Sequence, residues 1–129
     1  MGAWGVGNFQ NDDALDFVAN VEETGWTAVR AALTPTAGAK HLETSAAARA
    51  LAAAELIAKA LGHPAANVPE IELQAMPSVA ELAQFKNLAL DVVGSVREQS
   101  ELAELWADAG EAGPWRMELD NLKDRLSVV

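Results

Sequence analysis

The stretch from Leu42 to Gly62, LETSAAARALAAAELIAKALG, limits what this chain can become more than any other part of it. Alanine is the strongest helix former, because it loses no side-chain freedom on coiling. Ala47, Ala50, Leu51, Ala54, Ile57, Ala58 and Leu61 recur at helical spacing and share one face. Leu56 lies opposite, and most of the remaining positions are again alanine. A helix that is apolar nearly all round belongs between other helices. Arg49, Glu55 and Lys59 make it too charged to cross a bilayer, and it is too short to do so. Glu55 and Lys59 stand four apart and read as a favourable ion pair on the flank. Gly62 and Pro64 end the helix.

The partners such a helix needs are present on both sides. Ala14, Phe17, Val18 and Val21 follow helical spacing after Asn11, and Gly25 separates them from a short helix over Trp26 to Leu33. Ser78 with Glu81 forms a capping box for a helix running to about Arg97, with Leu82, Phe85, Ala89, Val92, Val93 and Val96 inward. Ser100 caps a shorter helix carrying Leu102, Leu105 and Trp106, and Gly110 and Gly113 mark its end. Pro114 suits the first turn of a last helix, striped by Trp115, Leu119, Leu122 and Leu126. Residues 62 to 77 carry Pro64, Pro69 and Pro77, and Ile71 and Leu73 there suggest a turn or short strand. The expectation is an all-α fold over residues 1–129: one compact bundle of five or six helices around the alanine-rich one, with Leu51, Ala54, Ile57, Ala58 and Leu61 at its centre.

Composition narrows the function classes. The chain has 129 residues and no cysteine. That excludes disulfides, zinc–thiolate sites and cysteine nucleophiles, and suits a reducing cytoplasm. No basic stretch precedes an apolar run at Met1-Gly2-Ala3-Trp4, so no signal peptide is expected. The net charge of −10 repels phosphate backbones and anionic lipid, which argues against nucleic acid and membrane as partners.

The opening MGAWGVGNFQNDDALDF is the sharpest motif. Gly5-Val6-Gly7 does not continue into a dinucleotide fingerprint, because position 10 is Gln10 and no strand precedes it. Asn11 is a preferred N-cap, and Asp12 and Asp13 fall in the first turn, where negative charge is favoured. Trp4 and Phe9 read as apolar anchors. The competing reading is a metal site for magnesium or calcium on Asp12, Asp13 and Asp16, which are spaced three and four apart and can share a face. The EF-hand spacing is missing. The helix-starting role is the preferred one, and no cofactor is expected.

Trp4-Gly5-x-Gly7-x-Phe9-x-Asn11-Asp12-Asp13-Ala14-x-Asp16 resembles the opening signature of a bacterial family, domain of unknown function 4259. The similarity continues in the alanine-rich helix and in Ser100-Glu101-Leu102-Ala103-Glu104-Leu105-Trp106. It extends to Trp115 followed by Leu119, Leu122, Arg125 and Leu126. The resemblance implies a complete bacterial domain and no assigned activity. Gln10 stands where an acidic residue such as glutamate is expected, which counts against a metal in this loop.

Elsewhere, His41 and His63 sit in no metal-binding spacing, and no nucleophile elbow is present. Glu101, Glu104, Asp108 and Glu111 recur at three and four, with Glu98 upstream. They make a solvated face or an acidic stripe for a basic protein partner. Two function classes therefore stand: a non-catalytic interaction domain, which is preferred, and a metal-dependent enzyme or ligand-binding domain using the N-terminal carboxylates.

Overall fold

A computed structural model describes residues 5–36, 41–65, 68–69 and 77–127. Among these residues six helices follow one another: α1 Asp12–Thr24, α2 Trp26–Leu33, α3 Thr44–Ala60, α4 Val79–Gln99, α5 Glu101–Asp108 and α6 Ala112–Ser127. No strand occurs among the described residues, and none of the helices there is long and apolar enough to cross a membrane. The fold is all-α.

The helix starts are set by local hydrogen bonding. Asn11 accepts from the Ala14 N–H at 2.8 Å and Ser100 from the Ala103 N–H at 3.0 Å. Ser78 and Glu81 exchange both bonds of a capping box. Helix α3 ends in a Schellman motif: Gly62, with φ of +92°, donates to Lys59 O, and His63 donates to Ala58 O. Gly110 closes α5 in the same way, with Glu111 donating to Trp106 O.

Helix α3 is the hub and packs on each of the other five helices. Every residue from Leu51 to Ala58 is buried. The alanines let neighbouring backbones approach closely, and the larger core side chains come both from α3, with Leu51, Leu56 and Ile57, and from its partners, with Phe17, Val29, Leu33, Val92, Val93, Trp115, Leu119 and Leu122. Two expectations need correction. Leu61 and Leu82, each near a helix end, are only half-buried and pack at the edge of the core. Glu55 is no flank residue. It is 2 % exposed and belongs to a buried network described below. With α6 and the opening loop closing over that side of α3, no solvated flank is left there.

Two further contacts position the surface. Leu42 bridges to the α4–α5 junction, donating to Gln99 O at 3.1 Å and accepting from Glu101 N–H at 2.8 Å. Trp26 packs on Phe85 with ring centroids 5.5 Å apart, and the Arg30 guanidinium lies 4.7 Å from the Phe85 centroid. Trp4, Ile71 and Leu73 lie outside the described residues.

Candidate functional site

The opening loop folds onto itself before α1 begins. Gly7 donates to Gln10 Oε1 at 2.8 Å, and Gln10 N–H donates back to Gly7 O at 3.0 Å. A methyl group on Gly5 or Gly7 would sit 2.4 or 2.6 Å from Gln10 Oε1, so any side chain at either position drives Gln10 out of the loop. The turn turns Phe9 into the core and carries Asn8 beneath the loop, both buried. Phe9 is thus the apolar anchor its place in the motif implies.

Asn8 reaches the feature that sequence reading missed. Its Nδ2 donates to Glu55 Oε2 at 2.8 Å. Arg125 clamps the same carboxylate with two bonds, Nη1 to Oε1 at 2.7 Å and Nη2 to Oε2 at 3.0 Å. The guanidinium is held in turn by Asn121 Oδ1 and the His63 carbonyl. Fork-to-fork pairing of this kind is among the strongest side-chain contacts, and it offsets the cost of taking Glu55 out of water. One signal for it was present in the chain: a glutamate in the middle of a helix apolar nearly all round needs a buried partner. Asn8 Oδ1, in contrast, is buried with no donor among the described residues, at a cost of about 1–3 kcal/mol.

Over this loop lies a crevice of about 20 Å³. Asn8, Asn11, Asp13 and Thr44 give it polar lining, and Trp106 and Trp115 wall it from α5 and α6. Of the three N-terminal carboxylates, only Asp13 lines the crevice. Its Oδ2 accepts from Ser45 Oγ at 3.2 Å, and its Oδ1 stands 4.0 Å from Arg49 Nη2. Asp16 lines a separate recess with Phe17, Asn20 and Arg49, and Asp12 is exposed. Among the described residues, no three His, Asp or Glu side chains gather as a metal ion would need.

The acidic stripe takes a definite shape on α5. Glu104, Asp108 and Glu111 are exposed, along one side of the helix and the turn after it. Of the apolar residues this helix carries, Leu102 is buried while Leu105 and Trp106 are half-buried. Glu101 is shared with His41, whose Nε2 lies 3.7 Å from its Oε1 because the Leu42 bridge brings that loop alongside. Glu98 pairs with Arg97, which also binds Asp120 at 3.0 Å. The bonds from Asp120 and then Glu98 hold the guanidinium above its ordinary basicity, so it stays charged. His63 contributes its backbone to the end of α3 and to Arg125.

A family model described as Domain of unknown function (DUF4259) matches residues 2–118. No curated protein and no solved structure matches the chain.

Proposed function

We propose, for a chain that belongs to the DUF4259 family, a non-catalytic interaction role: it takes a basic protein partner on the acidic side of α5. One observation carries the reading. Glu104, Asp108 and Glu111 are exposed together, and no ion pair among the described residues neutralises them. Charges left so on a chain of net charge −10 speed the encounter with a cationic surface and repel anionic ones. The half-buried Leu105 and Trp106 beside them supply apolar contact area. The absence of cysteine suits the cytoplasm as the site of action.

The test is affinity capture from a lysate at low and at high salt, with wild type and with the Glu104→Lys/Asp108→Lys variant. Bound metal is measured in the same preparation. Both substituted positions are exposed, so the variant is expected to fold. A basic partner retained at low salt, released at high salt and lost in the variant is the expected result. Stoichiometric magnesium, manganese or calcium that disappears on Asp13→Asn would overturn the reading in favour of metal-dependent chemistry.

A further inference from the structure

Two elements from opposite ends of the described chain meet on one carboxylate oxygen. Glu55 Oε2 accepts from Asn8 Nδ2 at 2.8 Å and from Arg125 Nη2 at 3.0 Å, while Oε1 accepts from Arg125 Nη1 at 2.7 Å. Glu55 is 2 % exposed and Asn8 5 %. Among the described residues, the bond from Asn8 is the only hydrogen bond that joins the opening loop, residues 5–11, to a helix other than α1. We propose that the loop and α6 form one conformational unit, a strap and its latch, in which the Arg125 grip on Glu55 keeps the loop docked on α3.

The loop is built to lift as a piece. Gly7 N–H donates to Gln10 Oε1, Gln10 N–H donates to Gly7 O, and the Gln10 side chain fills the space over Gly5 and Gly7. These contacts are internal and survive undocking. Docking rests instead on the half-buried Val6, on Phe9 and on Asn8. At Asn8 the docked state has a cost of its own. Oδ1 is buried with no donor among the described residues, and it regains water once the loop lifts. The docked amide gains a charge-assisted bond in return, whose strength depends on Glu55 being fixed and kept from water.

Arg125 supplies both conditions. Its fork sets the plane of the carboxylate, and α6 packs on α3 with Leu119, Leu122 and Leu126 buried. When this end of α6 lifts, Glu55 is hydrated, and the Asn8 bond becomes a near-even exchange with water. The loop then keeps the stranded-oxygen cost without the bond that offset it. By linkage the effect runs both ways: a lifted loop takes a donor from Oε2 and loosens the end of α6.

The experiment is amide hydrogen exchange of the full chain by NMR, at several low urea concentrations. Local opening is independent of urea and global unfolding is not, so the two are separated. The amides followed are Gln10 in the strap, Leu126 in α6 and Leu33 in α2 as the reference. Arg125→Lys keeps a positive charge near Glu55 and removes the fork. It should speed urea-independent exchange at Gln10 by at least about fivefold, the low end of coupling between two sites, with Leu33 unchanged. Asn8→Ala should speed exchange at Leu126. In the double variant Gln10 should exchange no faster than in Asn8→Ala alone, because the link is already cut. Asp120→Asn weakens the separate tie of α6 to Arg97 and leaves Glu55 untouched, so Gln10 should not respond. Glu55→Gln reads the link from its centre and should speed Gln10 and Leu126 together. Unaltered exchange at Gln10 in Arg125→Lys, an equal response to Asp120→Asn, an additive double variant, or a response at only one end in Glu55→Gln would each overturn the proposal.

Discussion

Replacing Arg125 with methionine should remove more stability than any surface substitution in this protein. Glu55 lies inside α3 at 2 % exposure, and its carboxylate receives three hydrogen bonds, two from Arg125 and one from Asn8. Methionine keeps much of the packing volume of the arginine stem but withdraws both guanidinium bonds, leaving a buried anion with one neutral donor. Stranding a buried charge costs about 3–5 kcal/mol. With a urea m-value of about 2 kcal/mol/M, the unfolding midpoint falls by about 1.5–2.5 M. The opposite truncation should cost less. In Glu55→Gln one amide oxygen still accepts from Arg125 or Asn8 while the NH2 faces the other donors, and Arg125 retains Asn121 and the His63 carbonyl and is 16 % exposed to water. Losing the charge assistance and one of these bonds corresponds to about 1.5–3 kcal/mol. Urea melts followed by tryptophan fluorescence measure both, and the double variant gives the coupling between the two residues. A midpoint shift below about 0.5 M for Arg125→Met, at an unchanged m-value, would refute the claim that this pair holds α6 and α3 together.

Two further substitutions check the remaining parts of the fold. Asn11→Ala removes the side chain that accepts from Ala14 N–H, and should cost about 1 kcal/mol, read as a fall of about 3–6 °C in Tm; an unchanged midpoint would mean that the residue serves something other than the helix start. Ala54→Leu leaves helix propensity almost unaltered but adds three carbons at a fully buried position of α3, and should destabilise by about 1–3 kcal/mol in a urea melt, with no loss expected only if the facing helices stand further apart than the structure has them.

The pattern of this chain was legible where the information is local. The stripe of α1, the buried set Phe85, Ala89, Val92, Val93 and Val96 of α4, and the stripe Trp115, Leu119, Leu122 and Leu126 of α6 are all buried as their spacing requires. Helical period and side-chain capping act over one or two turns, so they can be read without knowing what lies opposite. The candidate site was legible only in pieces. The opening motif was visible, and so was its cap, Asn11. That only Asp13 among its three carboxylates lines the crevice was not visible, because equal spacing on a helix says nothing about which neighbour covers each position.

The sequence by itself determined that the chain is helical, where the helices of the described residues begin and end to within a few residues, and that the alanine-rich segment lies inside. Only the tertiary structure decided what joins them. Asn8 and Arg125 meet Glu55 across separations of 47 and 70 residues, and Leu42 bridges to Ser100. An alanine surface accepts a neighbouring helix in many registers of nearly equal packing energy, so hydrophobic pattern alone cannot select one. A buried carboxylate can select one, because the cost of leaving it unpaired excludes every arrangement that does not bring Arg125 to it.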